Sequence, residues 1–285
     1  MKNKTKGTIA MLLAALLWSL GGIFIKLVPW NPLAISGARG LIAAFVMFAF
    51  MRAKRIKPAV SADSLKIAVS LAGVCATFVA ANKLTTAANA IVIQYCAPVY
   101  VLLYVALVQK KKLKPFDIVV VPVTILGVAL CFIGQIGKGT LVGDLVALVS
   151  GVFFAAMFIF SENVTEEARV NGLMQGQILN ALIGLPVLFI TRPAFSAQAV
   201  LVVLALGLLQ VGLAYVFYAV ALQNAPLLTC SLLGVLEPLL NPLWVYLFAG
   251  ENPGIWSLVG GVVVVGTITL WYVGDAKKSA AAAGI

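Results

Sequence analysis

The sequence of 285 residues contains no histidine, and only 10% of its residues are charged. Without histidine, the chain lacks the commonest general base and the commonest transition-metal ligand, which argues against a metal centre or a hydrolytic triad. The four cysteines show no CxxC spacing and lie inside apolar runs, where they are interpreted as small apolar side chains. A Walker A phosphate loop is absent as well. We therefore expect no metal, no cofactor and no enzymatic activity.

Apolar side chains dominate the composition. Hydrophobic residues make up 62% of the chain, whereas a soluble domain has roughly 45–50%. They occur in runs of about 20 residues, the length that an α-helix needs to cross a ~30 Å hydrocarbon core. The prediction is an all-α membrane protein with ten transmembrane helices, which we call spans 1 to 10. Their predicted bounds are 8–28, 32–51, 65–81, 88–108, 116–134, 141–161, 173–191, 197–222, 227–249 and 255–274.

The net charge of +11 would indicate a nucleic-acid partner in a soluble domain. Here the basic residues lie at span ends, where membrane topology explains them, so no nucleic-acid partner is expected. If the N-terminus is cytoplasmic, fifteen Lys and Arg residues fall inside, and the four outside are Lys26, Lys83, Lys138 and Arg192. This bias predicts a multi-pass protein of the inner (plasma) membrane with both termini in the cytoplasm.

The two halves of the chain resemble each other. At shifts of about 136 to 140 residues, the matching pairs are Gly7 and Gly143, Trp18 and Phe154, Pro98 and Pro238, and Phe116 and Trp256. Each half crosses the membrane five times, so the second half begins on the opposite side from the first. The second half must therefore be inverted relative to the membrane. The predicted domains are a first five-helix repeat at 1–138, a second, inverted five-helix repeat at 139–275 and a disordered cytoplasmic tail at 276–285. Inverted repeats are typical of alternating-access carriers, with the binding site near the midplane between the repeats.

Glu237 is the most unusual residue, because it lies within the apolar run of span 9. A carboxylate at mid-bilayer costs roughly 2.5 to 3.5 kcal/mol. Pro238 and Pro242 each remove a helix hydrogen bond, which leaves backbone carbonyls available at the same depth. We predict a functional acid at Glu237, with hinges at Pro238 and at Pro98. The alternative is a protonated acid that only hydrogen-bonds a neighbouring helix.

Polar and aromatic side chains at mid-span depth are expected to line the binding site, because contact with lipid would penalise the polar ones. The candidates for substrate binding are Trp18, Phe78, Gln94, Tyr95, Asn180, Gln210, Tyr215, Glu237, Asn241 and Trp244. For the amides, the alternative is an interhelical hydrogen bond of about 0.6 kcal/mol. For the aromatic residues, the alternative is core packing or a position in an interfacial belt.

These features resemble the EamA-type transporters of the drug/metabolite transporter superfamily. The residues that support the resemblance are Gly7 and Trp18, Gly143 and Phe154, Ala97-Pro98, Glu237-Pro238, Gly250-Glu251, and Gly260, Gly261 and Gly266. On overall look rather than by a diagnostic motif, the chain also resembles the aromatic amino acid exporters of that superfamily. The resemblance implies a transporter, but members handle amino acids, nucleobases, quaternary ammonium compounds and drugs. A departure from the repeat is Ala97, which stands where the second half has Glu237.

Arg39 lies about a third of the way into span 2, between Gly37 and Gly40. It could reach the outer interface with its long side chain or pair with a substrate carboxylate. A basic residue at this place is common in the family, which implies a structural or gating role rather than a ligand role. The neighbouring glycines allow close helix approach.

The expected function is a secondary-active or facilitative transporter that exports small amphipathic metabolites, neutral amino acids first, by alternating access. A choline-like quaternary ammonium compound or a drug is the alternative substrate, and an intramembrane enzyme is the alternative class. The expected partners are the substrate, the lipid bilayer and protons, and the oligomeric state stays open. Glu237 is expected to couple to protons, because burial favours the protonated acid whereas a substrate ammonium favours the carboxylate.

Overall fold

The computed structural model describes residues 4–110, 115–133, 140–161, 164–225, 233–234 and 236–282, and all secondary structure in these ranges is helical. This confirms the predicted all-α membrane fold. Spans 1 to 5 are Lys4–Ser19 plus Gly21–Leu27 (span 1), Pro32–Ala53 (span 2), Ala62–Leu84 (span 3), Ala87–Gln94 plus Ala97–Leu107 (span 4) and Pro115–Ile133 (span 5). Spans 6 to 10 are Leu141–Ser161 (span 6), Glu166–Thr191 (span 7), Ala197–Ala205 plus Leu206–Leu213 plus Ala214–Asn224 (span 8), Leu236–Ala249 (span 9) and Ile255–Ala282 (span 10). Within the described ranges, seven helices are long and apolar enough to cross a membrane.

Two predicted bounds change for local reasons. Span 7 begins at Glu166 rather than at residue 173, because the Thr165 side chain caps it by accepting a hydrogen bond from Ala168 N at 3.2 Å. The acids at the start of this helix also favour its positive N-terminal end. Span 10 continues as helix to Ala282, so residues 276–282 do not form the predicted disordered tail. Alanine and lysine favour helix, and this run is rich in both.

Some predictions fall outside the described residues. These are the first part of predicted span 9 at 227–232, the predicted border between the repeats at 138/139 and the chain end at 283–285. The described part of span 9 includes Glu237 and Pro238.

Three spans are irregular part of the way along their length. Span 1 is interrupted at Leu20, directly after Trp18 and Ser19, and span 4 is interrupted at Tyr95-Cys96. The interruption in span 4 has a clear cause, because Pro98 in the next turn cannot donate a helix hydrogen bond. In span 8, Leu206–Leu213 is a wider π-helix. Such irregular segments often occur at functional sites.

Repeat-related residues make equivalent contacts at opposite ends of the bundle. The start of span 1 packs against the end of span 8, where a Cβ added to Gly7 would lie 2.6 Å from Ala225 N. The start of span 6 packs against the end of span 3, where a Cβ added to Gly143 would lie 2.5 Å from the carbonyl carbon of Leu84. Both sites therefore require glycine. An inverted pair of repeats produces this kind of correspondence.

Spans 2 and 7 are in direct backbone contact where they cross. A Cβ added to Gly37 would lie 2.6 Å from Gly184 Cα, so the two backbones touch directly. Ser36 Oγ donates to Asn180 Oδ1 at 2.9 Å, and Asn180 Nδ2 donates to the Ser36 carbonyl at 2.8 Å. This crossing fixes the rotation of span 2 and, with it, the direction of Arg39.

Candidate functional site

A cavity lies between spans 1, 2, 3, 4, 6, 8 and 9, so both halves of the chain form its wall. The lining residues are Trp18, Arg39, Val74, Cys75, Phe78, Gln94, Phe154, Gln210, Val211, Tyr215 and Glu237. The cavity volume is about 40 Å³. That is room for a few waters. A metabolite would therefore require the cavity to widen.

Six of the ten residues predicted to bind substrate line this cavity. They are Trp18, Phe78, Gln94, Gln210, Tyr215 and Glu237. Each irregular helix supplies at least one of them, since Trp18 precedes the break in span 1, Gln94 precedes the break in span 4 and Gln210 lies in the π-helix. The places where the backbone departs from the regular α-helix thus coincide with the polar part of the wall.

Glu237 is buried and connected to the first half of the chain. The Tyr95 hydroxyl lies 2.9 Å from Glu237 Oε2 and 3.0 Å from the Gly234 carbonyl oxygen. A phenol has only one proton to donate. If Glu237 is ionised, its carboxylate competes with Gly234 for that proton. If Glu237 is protonated, it can donate to Tyr95, which then donates to Gly234. The charge state of Glu237 therefore changes a link between spans 4 and 9.

Arg39 also forms part of the cavity wall, and its side chain is only 2% exposed. Nη1 donates to Gln210 Oε1 at 2.9 Å, and Nη2 donates to the Cys75 carbonyl at 3.1 Å. Nε has no hydrogen-bond partner among the described residues. Arg39 is buried rather than extended to the surface, and the sequence analysis considered its pairing with a substrate carboxylate without including it among the candidate binding residues.

Aromatic rings form two groups at the cavity, and each group combines rings from both halves of the chain. The Trp18 ring lies 5.4 Å from the rings of Tyr215 and Tyr218, measured between centroids. Its repeat partner Phe154 lies 5.8 Å from Tyr95. Rings packed in this way present apolar faces and edges to a ligand. They are suited to the apolar body of a small molecule.

Four residues predicted to bind substrate do not line the cavity, and one of them, Tyr95, bonds Glu237 as described above. Asn180 instead forms the hydrogen bonds to Ser36 between spans 2 and 7, which is the interhelical alternative. Trp244 Nε1 donates to Ser19 Oγ at 3.0 Å and so joins spans 9 and 1. Asn241 is buried against Gly22, and its amide has no hydrogen-bond partner among the described residues. Polarity at mid-span depth indicated burial correctly but could not distinguish a cavity from a helix contact.

The two predicted hinge prolines lie in the first turns of helices. Pro98 is the second residue of Ala97–Leu107, after the break in span 4. Pro238 is buried and is the third residue of Leu236–Ala249. Their role as hinges stays a prediction.

Asp144 is a buried acid that the sequence analysis missed. It is fully buried in the first turn of span 6. Asp144 Oδ1 accepts hydrogen bonds from Thr85 Oγ1 at 2.6 Å and from Asn89 Nδ2 at 3.1 Å. Asn89 Oδ1 accepts one from Ser257 Oγ at 2.6 Å. The network joins spans 4, 6 and 10 and the segment between spans 3 and 4. An acid in an apolar run is the same signal that identified Glu237.

An ion pair joins the two halves at the same end of the bundle. Lys26 Nζ lies 2.7 Å from Glu251 Oε2 and donates to the Thr85 carbonyl at 2.9 Å. Glu251 Oε1 accepts a hydrogen bond from Ala87 N at 2.6 Å. Gly250 adopts a φ of 65°, which a residue with a side chain rarely does, and the turn brings Glu251 over the start of span 4.

A bundle of membrane-spanning helices, with a partly polar cavity between its halves and irregular helices around it, defines a membrane transport protein. Comparison with known protein families indicates the same class. A model described as the EamA-like transporter family matches residues 5–133 and 141–273. The chain belongs to this family.

Relatives cover nearly the whole chain. A protein of Archaeoglobus fulgidus named "Uncharacterized transporter" is 27% identical over 290 residues, which cover 95% of this chain and 98% of the relative. A protein of Clostridium kluyveri with the same name is 25% identical, with 92% of both chains covered. A solved structure described as "Crystal structure of protein" matches with a TM-score of 0.64 at 20% identity, covering 93% of this chain and 96% of that one. This last likeness concerns the fold alone.

Proposed function

We propose that this transporter exports small amphipathic metabolites, neutral amino acids first, across the inner membrane by alternating access. The observation that supports the substrate class is the composition of the cavity wall. Rings from Trp18, Phe154 and Tyr215 provide apolar contact, the amides of Gln94 and Gln210 provide hydrogen bonds, and Glu237 provides one acid. An apolar body with an ammonium group matches this set.

Alternating access is supported by the equivalence of the two ends. The contact of Gly7 with Ala225 at one end corresponds to the contact of Gly143 with Leu84 at the other. If each half can adopt the conformation of its partner, the cavity opens on one side and closes on the other. The Lys26–Glu251 pair is suited to holding one end closed, because it connects the halves directly.

A quaternary ammonium compound is the second candidate. The group of rings around Trp18, with Tyr215 and Tyr218, could hold a cation against aromatic faces near Glu237. Arg39 in the same wall argues against it, since a substrate with only positive charge would approach a buried guanidinium. We therefore place amino acids first.

Counterflow in proteoliposomes tests the substrate class. We expect uptake of labelled phenylalanine to exceed uptake of labelled choline, and we expect Trp18→Ala to reduce it at least about tenfold, because an aromatic wall residue is lost. Trp256→Ala is the matched control, since that ring is 48% exposed on the surface and away from the cavity. Flux of neither compound would contradict the proposed substrates.

Reporter fusions test the orientation. Fusions after Lys57, Lys114 and Lys278 are expected to report the cytoplasm, and a fusion after Asn252 is expected to report the outside. The reason is that most Lys and Arg residues lie in the alternate connections that would then share one side of the membrane. A cytoplasmic signal after Asn252 would contradict the inverted arrangement of the two halves.

A further inference from the structure

We propose that Arg39 binds the carboxylate of the substrate, so that the preferred substrate is a zwitterion with an ammonium and a carboxylate group. The inference rests on the transport function proposed above and specifies its substrate class. It favours the pairing of Arg39 with a substrate carboxylate over the structural or gating role that the family resemblance implied.

The first argument is the state of the Arg39 charge. The guanidinium is 2% exposed, and both of its partners, Gln210 Oε1 and the Cys75 carbonyl, are neutral. Among the residues that the structure describes, no carboxylate lies within ion-pair distance of Arg39. A buried charge is costly unless it is paired and hydrogen-bonded. A substrate carboxylate would supply the missing partner.

The second argument is the number of donors. A guanidinium has five N–H donors in one plane, a geometry that matches a carboxylate. Arg39 uses two of its nitrogens for bonds to spans 8 and 3, while Nε has no partner among the described residues. A purely structural link between helices would be expected to use these donors within the protein. Nε is itself buried, but it belongs to a side chain in the cavity wall, so widening of the cavity would expose it to a substrate carboxylate.

The third argument is the pairing of charges across the cavity. Arg39 on span 2 belongs to the first half, whereas Glu237 on span 9 belongs to the second half. Glu237 is bonded to Tyr95 rather than to Arg39. The two charges are therefore separate in the protein and could each bind one end of a zwitterion. Such a substrate would connect the halves, while an amine alone would face the unpaired Arg39.

The experiment compares four competitors of labelled phenylalanine counterflow. Unlabelled phenylalanine has both charges, its methyl ester and phenethylamine lack the carboxylate, and 3-phenylpropanoate lacks the ammonium. In the wild-type protein, we expect the ester and the amine to compete about 10- to 100-fold less tightly than phenylalanine, as for the loss of a charge-assisted hydrogen bond.

Two variants test whether Arg39 causes this preference. Arg39→Gln removes the cation. Gln210→Glu keeps Arg39 but places an internal carboxylate at the atom now 2.9 Å from Nη1. Both are expected to reduce the preference for phenylalanine over the ester to less than about threefold, because the substrate carboxylate is no longer favoured. Arg192→Gln makes the same chemical change at an exposed loop residue and is expected to keep the wild-type preference.

The outcomes separate the two proposals. The ratio of competitor affinities does not depend on how much protein folds, and thermal unfolding of each purified variant reports its stability independently. Gln210→Glu with full wild-type preference would overturn the role of Arg39. Equal competition by the amine and phenylalanine in the wild-type protein would also overturn it, while leaving transport in place. A wild-type protein that moves none of the four compounds and no choline would overturn the proposed function as well.

Discussion

Glu237→Gln is expected to abolish the pH dependence of substrate affinity and flux while the protein still folds. The glutamine has the same shape and can still hydrogen-bond the Tyr95 hydroxyl, which lies 2.9 Å from Oε2 of the acid. The glutamine side chain, unlike the acid, cannot lose a proton. If an ammonium binds only the ionised acid, wild-type affinity should rise with pH by up to about tenfold per unit until Glu237 is fully ionised. The variant should show a flat profile.

The measurement is phenylalanine binding and counterflow between about pH 5 and pH 9. Glu167→Gln is the matched control, because that acid is exposed in the first turn of span 7 and should keep the wild-type profile. Tyr95→Phe should shift the profile without flattening it, since Glu237 loses a hydrogen bond but can still ionise. A wild-type profile in Glu237→Gln would remove the proton role and leave a structural acid.

How far the sequence predicts this site depends on what each residue requires of its surroundings. Glu237 could be found from the sequence because a charge within an apolar run is unfavourable in any packing. The break in span 4 could also be expected, since Pro98 has no N–H to donate. The π-helix at Leu206–Leu213 has no such local cause, because the segment contains no proline. The segment packs closely against span 2, where a Cβ added to Gly207 would lie 2.5 Å from Ile42 Cβ.

The direction of a side chain is harder to predict than its depth. Arg39 and Asn180 both lie near the crossing of spans 2 and 7, but Arg39 enters the cavity wall while Asn180 bonds Ser36. The contact between Gly37 and Gly184 fixes which face of span 2 meets which neighbour. This rotation depends on two segments that are far apart in sequence, so a pattern within one span does not contain it.

The two halves are alike in packing but differ in charge. Gly7 and Gly143 make equivalent contacts, and Trp18 and Phe154 both line the cavity. The acid at Glu237, however, has Ala97 as its partner in the first half. In the proposed mechanism, similar packing would allow the halves to exchange conformations, and the difference in charge would assign a different end of the substrate to each half. The residues that would bind a substrate therefore have to be identified one by one and not by symmetry between the halves.

Cross-linking positions 26 and 251 is expected to stop transport completely. Lys26 and Glu251 form an ion pair at 2.7 Å between the halves, and Glu251 also accepts a hydrogen bond from Ala87 N. The proposed orientation places this end outside. The variant carries Lys26→Cys and Glu251→Cys, and a short bis-thiosulfonate reagent joins the two thiols. Alternating access requires this end to separate, so the covalent link should abolish counterflow, and a reducing agent should restore it.

The single substitutions show why a covalent link is needed. Both side chains of the pair are about one-fifth exposed, at 21% and 22%, and a partly exposed ion pair contributes only about 0–1 kcal/mol. Lys26→Gln or Glu251→Gln alone should therefore change flux less than about tenfold. Each single cysteine variant treated with the same reagent is the control for chemical damage, since the described native cysteines Cys75, Cys96 and Cys131 are buried. Undiminished counterflow in a fully cross-linked double variant would mean that this end does not open during transport.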